Sequence, residues 1–420
     1  MPRSSTPLRA LALASVASVV AAACAGSPAR PVTAAAVVTP PPAEPEPTVE
    51  AEAPVEAAVE PAPEPAARAR AVTIGASGDI LCHLKVVRSA REHDDGFEHV
   101  FGRLRDVIGE QEVAFANLET PLSERIPPET GEPPVLGAPG AVAAALASAG
   151  IDAVSVANNH SYDQTAAGLG ETLEALAAAH VGSAGAAETL DASPGPIVFE
   201  RDGVRVAIVA FTERVNRGGA GAEQNRVWVA RYDDDLARAA LARARAAADV
   251  VVVSIHWSHD YIEQPLLTQR RRARLLVDAG ADLIIGHGPH VLQEVERMES
   301  PRGEAVVAYS LGNLVSNQAL RYWVGRRVPP DLHPAVIRPT LRDGAWLRTR
   351  FVVEDGRVRV ERLEAVPLWT ENNYIEVANR QADVLDVHVA ALSEASEAVQ
   401  AERRPVIEAS LGPAVTLVAD

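Results

Sequence analysis

Cysteine is nearly absent: Cys24 and Cys82 are the only two in 420 residues. A mature domain that keeps Cys82 alone has no internal disulfide to stabilise it, and the missing thiolates exclude a structural zinc site of the cysteine-rich kind. Aromatic residues are scarce as well, at 4% against 47% hydrophobic in all, so Ala, Val, Leu and Ile must fill the interior. Positive charge is in deficit. Lys and Arg total 39 against 56 Asp and Glu, a formal charge of −17, which argues against a nucleic-acid partner because phosphate binding needs a basic surface. Much of the excess is local, in Glu44, Glu46, Glu50, Glu52, Glu56, Glu60 and Glu64. There is no Gly-rich phosphate loop and no serine in a nucleophile elbow, so a Ser-His-Asp triad is set aside.

Long apolar runs are missing too. The stretch from Ala10 to Ala23 is too short for a comfortable membrane span. Arg3 and Arg9 precede it and Ala21-Ala22-Ala23-Cys24 closes it, which reads as a secretory signal over residues 1–24. A cysteine directly after small residues resembles a bacterial lipoprotein box, with Cys24 lipidated after cleavage. Ala21 stands where that box usually has Leu or Val, and ordinary cleavage that leaves Cys24 unmodified is the other reading. The expected address is extracytoplasmic, in the cell envelope, with the membrane as a partner through a lipid anchor. Residues 25–69 are Pro, Ala and Glu with almost no large apolar side chain; such a segment buries too little surface to offset its ordering entropy and acts as a disordered, semi-rigid tether.

What is present begins at about residue 70. Short apolar runs alternate with helical stretches, and the runs Val72–Ala76, Glu112–Ala116, Asp152–Val156, Val204–Phe211, Asp249–Ile255, Asp282–Ile285 and Ala305–Tyr309 are the expected strands. Ala141–Ser148, Leu169–Ala179, Asp234–Ala248 and Leu266–Ala279 are expected helices. The alternation predicts an α/β domain over residues 70–370 with a largely parallel sheet. Trp346–Glu354, Asp355-Gly356 and Arg357–Leu363 predict an antiparallel hairpin. Residues 371–420 read as a helical tail packed outside the core.

Nearly every one of these strands ends in polar residues. Gly78-Asp79 is followed closely by His83; Asn117-Leu118-Glu119 closes the second run, and Asn158-Asn159-His160 the third, with Asp163 just beyond. His256-Trp257-Ser258-His259, Gly286-His287-Gly288-Pro289-His290 and Ser310-Leu311-Gly312-Asn313 close the later ones. Ligands of open α/β sheets bind at the carboxyl ends of the strands, so these tips are expected to share one crevice. Carboxylate, amide oxygen and imidazole suit Zn, Mn or Fe, and a carboxylate with imidazoles on both sides can hold two ions. His287 and His290 straddle a Gly-Pro turn and are the strongest single signal. Asp79 as a turn cap, Glu119 as an ordinary strand-end acid and His256 as a core histidine are the competing plain readings. Asn158 is the better turn former of its pair. His83 and His259 are evenly balanced between the cleft and elsewhere, and Cys82 reads as a small packed side chain.

Taken together and in this order, these motifs resemble the bacterial CapA family, linked to poly-γ-glutamate capsule synthesis and similar in turn to calcineurin-like metallophosphoesterases. The resemblance covers roughly residues 72–318. It implies a four-layer metallophosphatase-like sandwich, two packed sheets flanked by helices. It implies Asp79 and His290 as ligands of a first metal, Glu119 as a bridging acid, and Asn159, His256 and His287 as ligands of a second, the ions being divalent Mn, Zn or Fe. His160 is implied as the acid or transition-state hydrogen-bond donor. His83, Asn117, Asn158, Ser310 and Asn313 are candidates to support the ligands by hydrogen bonds. Two departures bear on the first metal: the phosphoesterases have Asp-x-His where His83 follows Asp79 by four positions, and Gly288 stands where many CapA relatives have another His. The implied function is an envelope protein of capsule or poly-γ-glutamate synthesis on a metal-dependent hydrolase scaffold, with an anionic polymer or phosphoester as substrate and capsule-synthesis proteins as partners. A phosphoesterase unrelated to capsule and a non-catalytic polymer-binding scaffold are the alternatives.

Overall fold

The structure, a computed structural model, describes residues 69–419 apart from 110, 132, 188–194, 218–227, 328 and 330. The expected signal over 1–24, Cys24 and all but the end of the tether lie outside the described residues. Among those described, no helix is long and apolar enough to cross a membrane.

Fifteen strands form one hydrogen-bonded sheet. They are β1 (Arg70–Ile80), β2 (Val113–Leu118), β3 (Ala153–Ser155), β4 (Gly182–Ala184), β5 (Ile197–Arg201), β6 (Val204–Thr212), β7 (Val250–His256), β8 (Leu283–His287), β9 (Val295–Ser300), β10 (Gly303–Ala308), β11 (Asn313–Val315), β12 (Asp343–Glu354), β13 (Arg357–Asn372), β14 (Val387–Ala391) and β15 (Thr416–Leu417). The main path runs β4-β3-β2-β1-β12-β13-β10-β8-β7-β6-β5. Neighbours are parallel from β4 to β1 and again from β10 to β6. The expected hairpin is β12–β13, turning at Asp355-Gly356 with both residues at positive φ.

Side-chain alternation explains the layering. In β6 and β7, Ala207, Val209, Phe211, Val251, Val253 and Ile255 share a core with Ala237, Leu241 and Ala244 of α6 (Asp234–Ala247) and Ala273, Leu276 and Val277 of α7 (Leu267–Asp278). Those helical positions recur at the spacing of one helix face. The intervening residues Val206, Ile208, Val250 and Val252 join Ile74 and Phe115 of the other half-sheet in a second core. That core extends to α1 (Leu84–Glu92), α2 (Phe97–Phe101), α3 (Leu104–Ile108), α4 (Ala141–Ala149) and α5 (Thr165–Ala178). The order is therefore helices, sheet, sheet, helices, the four-layer sandwich that was expected.

Two features differ from the sequence reading. The half-sheets are not separate, because β10 and β13 pair in parallel at Gly303 and Val358. Gly303 has φ +130° there, and a Cβ would stand 2.4 Å from the Val358 carbonyl oxygen, so the seam needs glycine. The stretch after 370 is helical only in part: β14 and β15 both pair with β13, while Val387, Val389, Ile407 and Leu411 are buried core. Alternation in Val387–Ala391 is masked by its apolar residues on both faces. This segment is built into the sandwich and does not lie outside it.

Candidate metal centre

Register brings the strand ends together. Parallel pairing sets His287 of β8 directly beside His256 of β7. Asp79 of β1 aligns with Asn117 on one side and Asn313 on the other, at an irregularity in the β1 ladder. Glycine makes this approach possible. A Cβ on Gly78 would lie 1.9 Å from the Gly312 carbonyl oxygen, the same oxygen that accepts the Asp79 N–H at 3.0 Å. Backbone cannot yield as a side-chain tip can, so Gly78→Ala should cost about 3 kcal/mol, the upper end of overpacking. Gly356→Ala, whose Cβ meets nothing within 4 Å, should cost about 1 kcal/mol for its positive φ alone. Denaturant melts of both variants check this; equal losses would mean that the contact relaxes.

Asp79 is the hub. Its Oδ1 accepts from Asn117 Nδ2 at 2.8 Å, and its Oδ2 accepts the Gly288 N–H at 3.2 Å and faces His290 Nδ1 at 3.0 Å. His290 Nδ1 also lies 3.2 Å from Asn313 Oδ1. The Asn313 amide is oriented by donating to Gln318 Oε1 and the Leu341 carbonyl, both at 2.9 Å, so its oxygen must face the imidazole. Gly288 at φ +100° would bring a Cβ within 2.7 Å of the Trp257 carbonyl oxygen; this turn leaves no room for a histidine at 288. His290 itself is held at φ +59°, an uncommon conformation for a bulky residue and one found where the surroundings over-determine it.

Charge explains the protonation pattern. Burial would raise Asp79, but the His290 hydrogen bond and the nearby imidazoles hold it well below the usual carboxylate range. Burial opposes a charge on His290, yet Glu119 and Asp79 push it up to about 10. His287, by contrast, is pushed down to about 4 by burial, with Asp79 pulling against it and His256 reinforcing it, so it is a neutral imidazole.

The remaining groups lack partners. Both carboxylate oxygens of Glu119, both ring nitrogens of His256 and of His287, and the side-chain oxygen of Asn159 are buried without a hydrogen bond. His256 Nε2 is 3.2 Å from Glu119 Oε1, and His287 Nδ1 is 3.5 Å from Asp79 Oδ1, but neither contact has hydrogen-bond alignment. Dry polar atoms cost on the order of 1–3 kcal/mol each, more for a charge. Converging oxygen and imidazole ligands without partners are the donor set of a divalent ion. Asp79, Glu119 and His256 offer ligand atoms all within 4.8 Å of one another, so this group can hold a metal ion.

A cavity of about 710 Å³ opens over the cluster, lined by His83, Asn159, His160, Arg214, Asn216, Asp260, Tyr261 and His290 among others. His160 Nδ1 faces the fully buried Asp163 Oδ2 at 2.6 Å, one turn on. A carboxylate partner keeps the proton on Nδ1 and turns Nε2 toward Asn216, whose Nδ2 is 3.4 Å away. Asn158 acts as a turn former and tie: its Nδ2 donates to the Leu118 carbonyl at 2.8 Å, and its Oδ1 accepts the His160 N–H at 3.1 Å.

Other candidates fall outside the ligand cluster. His83 lines the cavity with Nδ1 accepting from the Asn317 N–H at 3.4 Å, and burial with nearby His160 and His290 pushes it down to about 3. Ser310 Oγ accepts the Gly312 N–H at 3.3 Å and so closes its own turn; no hydrogen bond to a candidate ligand is seen. His259 is exposed. Cys82 is buried and its thiol is pushed up to about 12 by burial. Trp257 is core, with its Nε1–H donating to the Tyr309 carbonyl at 2.9 Å. Arg214, Asn216 and Tyr261 were missed in the sequence. Only Tyr261, next to the His256–His259 stretch, had a signal near it.

The family described as bacterial capsule synthesis protein PGA_cap matches residues 73–318. A "PGA biosynthesis protein CapA" of Bacillus subtilis is 31% identical over 230 residues, 48% of this chain and 59% of that protein. A "capsule biosynthesis protein CapA" of Bacillus anthracis is 29% identical over 254 residues, 59% of this chain and 60% of that protein. The chain thus spans about three fifths of the length of these relatives. Among solved structures, a calcineurin-like phosphoesterase of Bacillus subtilis overlays 80% of this chain and 97% of its own at 12% identity and a TM-score of 0.40. A hypothetical protein of Thermus thermophilus overlays 70% of this chain and 98% of its own, at 17% identity and the same TM-score of 0.40.

Proposed function

The chain belongs to the bacterial capsule synthesis protein family PGA_cap, and on that premise we propose that it serves the synthesis or export of an anionic envelope polymer, of the poly-γ-glutamate kind, through a metal-dependent hydrolytic cleft. It would act outside the cytoplasm, tethered by a lipid on Cys24, alongside other capsule-synthesis proteins. The observation that carries the reading is the set of unpartnered buried atoms on Glu119, Asn159, His256 and His287, at the foot of a cavity large enough for a segment of polymer.

In this reading Asp79, Glu119, Asn159, His256, His287 and His290 hold divalent Mn, Zn or Fe. Such an ion supplies Lewis acidity toward a phosphoryl or acyl oxygen. Asn117 and Asn313 keep Asp79 and His290 in place by the hydrogen bonds given above. His160, oriented by Asp163, presents Nε2 to the cavity and, once Nε2 has taken up a proton from water there, passes that proton to the departing atom of a phosphoester or γ-glutamyl amide. Arg214, whose Nη2 donates to Asp260 Oδ1 at 2.9 Å, and Asn216 line the cavity, and a carboxylate-bearing substrate would compete with Asp260 for the guanidinium.

The test is metal analysis of the purified protein, followed by turnover of aryl phosphate mono- and diesters and of γ-glutamyl amides. Chelation should abolish turnover and re-addition of Mn, Zn or Fe should restore it. If the metal-loaded protein turned over none of these, and His290→Ala left the envelope polymer of cells unchanged, the cleft would be a polymer-binding scaffold instead.

A further inference from the structure

The segment 317–338 departs from the charge of the chain as a whole. It carries Arg321, Arg326, Arg327 and Arg338 against one acid, Asp331, in a protein of formal charge −17. Its two arms are pinned together at the base: the Ala319 N–H donates to the Ala335 carbonyl at 2.7 Å, and the Arg321 N–H to the Val336 carbonyl at 3.1 Å. That base is one wall of the cleft, since Asn317, Gln318, Leu320, His333 and Ala335 all line the cavity. Arg338 is taken up there, with Nη1 donating to the Tyr261 carbonyl at 3.1 Å and lying 3.6 Å from Glu263 Oε1.

The other three arginines gather just beyond that wall. Arg321 follows Leu320 in the chain, and Arg326 Nη1 donates to the Arg321 carbonyl at 2.7 Å, which brings the tip of the loop back to it. The Arg326 guanidinium lies over the Trp323 ring, 4.0 Å from its centroid, a cation–π contact. The tip is anchored as well. The Tyr322 hydroxyl donates to Glu402 of the helix Glu397–Leu411, and the Gly325 N–H reaches the same carboxylate at 3.3 Å. Arg321 and Arg327 are exposed, and among the described residues neither guanidinium has a hydrogen bond or an ion pair. Trp323 is 47% exposed. Positive charges held together without acids between them repel one another, and a passing polyanion relieves that repulsion.

We propose that Arg321, Arg326 and Arg327 form a docking surface for a carboxylate-bearing polymer, holding the length of it that lies outside the cleft. This rests on the reading of the cleft as one that serves an anionic envelope polymer, and it adds where that polymer is gripped. A guanidinium presents paired N–H groups that match a carboxylate. Each such contact at an exposed site is weak, but a polymer that repeats its carboxylates can meet several arginines at once. Once one contact has formed the next is intramolecular, so the surface favours a long chain over its monomer. Continuity with the cavity through Leu320 is what favours a polymer here over a lipid surface.

The experiment is binding of labelled poly-γ-glutamate to the full chain by fluorescence anisotropy, over a series of salt concentrations. Three proteins are compared: the parent, Arg321→Gln with Arg327→Gln, and Arg321→Lys with Arg327→Lys. The Gln pair should weaken polymer binding about 2–30-fold, the range for two exposed ion pairs, and flatten its dependence on salt. The Lys pair keeps the charge and should stay close to the parent. Metal content and turnover of a short γ-glutamyl amide should be the same in all three. Both positions are exposed, so the variants should fold, and their melting temperatures check this. If the Gln pair bound the polymer as tightly as the parent, the proposal would fall while the reading of the cleft stood. If the parent bound no polymer at all, both would fall. Phosphatidylglycerol vesicles bound more tightly than the polymer, and released by the Gln pair, would overturn it in favour of a membrane contact.

Discussion

Glu119→Gln should weaken metal binding in the cleft by at least about 100-fold and yet raise the melting temperature of the metal-free protein. Glu119 is fully buried, and neither carboxylate oxygen has a hydrogen bond. An ionised carboxylate in that setting destabilises the fold unless a cation compensates it, and in the metal-free chain His290 Nδ1 lies 3.8 Å away. Glutamine keeps the shape and removes the charge. As a ligand it is far poorer. Residues that merely orient a ligand are worth about 10–100-fold in metal affinity, so loss of the ligand itself should cost at least about 100-fold. At a metal concentration of about 1,000 dissociation constants that removes roughly 2.7 kcal/mol of metal-linked stability. Thermal melts of both proteins, with metal and with chelator, check both signs. A variant that binds metal as tightly as the parent would rule out Glu119 as a ligand, and one that melts lower than the parent under chelation would show that its charge is already compensated.

His160→Gln should lower turnover by about 10²–10⁴-fold, the range for losing a positioned acid or base, while leaving the metal content as it was. The split follows from the geometry. His160 faces the cavity and leans on Asp163 at 2.6 Å, whereas the atoms that want a cation belong to Glu119, Asn159, His256 and His287. Glutamine can still donate to Asp163, so the loop carrying Asn159 should hold. The measurement is kcat with metal analysis on the same sample. If metal fell with turnover, His160 would be a ligand; if neither changed, it would be a bystander.

The cleft was legible because parallel strands end where apolar runs stop, and nearly every run here stops on a residue with ligand chemistry. His287 and His290 could be read from five consecutive letters, since a Gly-Pro turn offers little other reason for two imidazoles. Register, which sets His256 beside His287 and Asp79 beside Asn117, is a property of pairs of strands and is not written in either one. The cavity walls were least legible. Arg214, Asn216 and Tyr261 come from loops, where no period marks which side chain turns inward. The Asp163 carboxylate was noticed as a neighbour of His160, but its complete burial depends on Leu136, whose N–H donates to it at 2.7 Å from a separate loop. Parts of the C-terminal segment were misread because Val387–Ala391 is buried on both faces and so lacks the alternation that announces a strand.

The pairing of Asp79 with His290 spans 211 positions of sequence. Closing a loop of that size comes before any reward from the contact it makes, and non-local contacts of this kind slow folding. Everything between must already be in register: β2 and β3 to bring Glu119 and Asn159, β7 and β8 to bring the imidazoles. The cleft is therefore complete only when both half-sheets have formed. A chain arrested at any earlier stage holds isolated carboxylates and histidines, each with the weak affinities of a free side chain. Any selectivity for one metal over another would belong only to the finished sandwich.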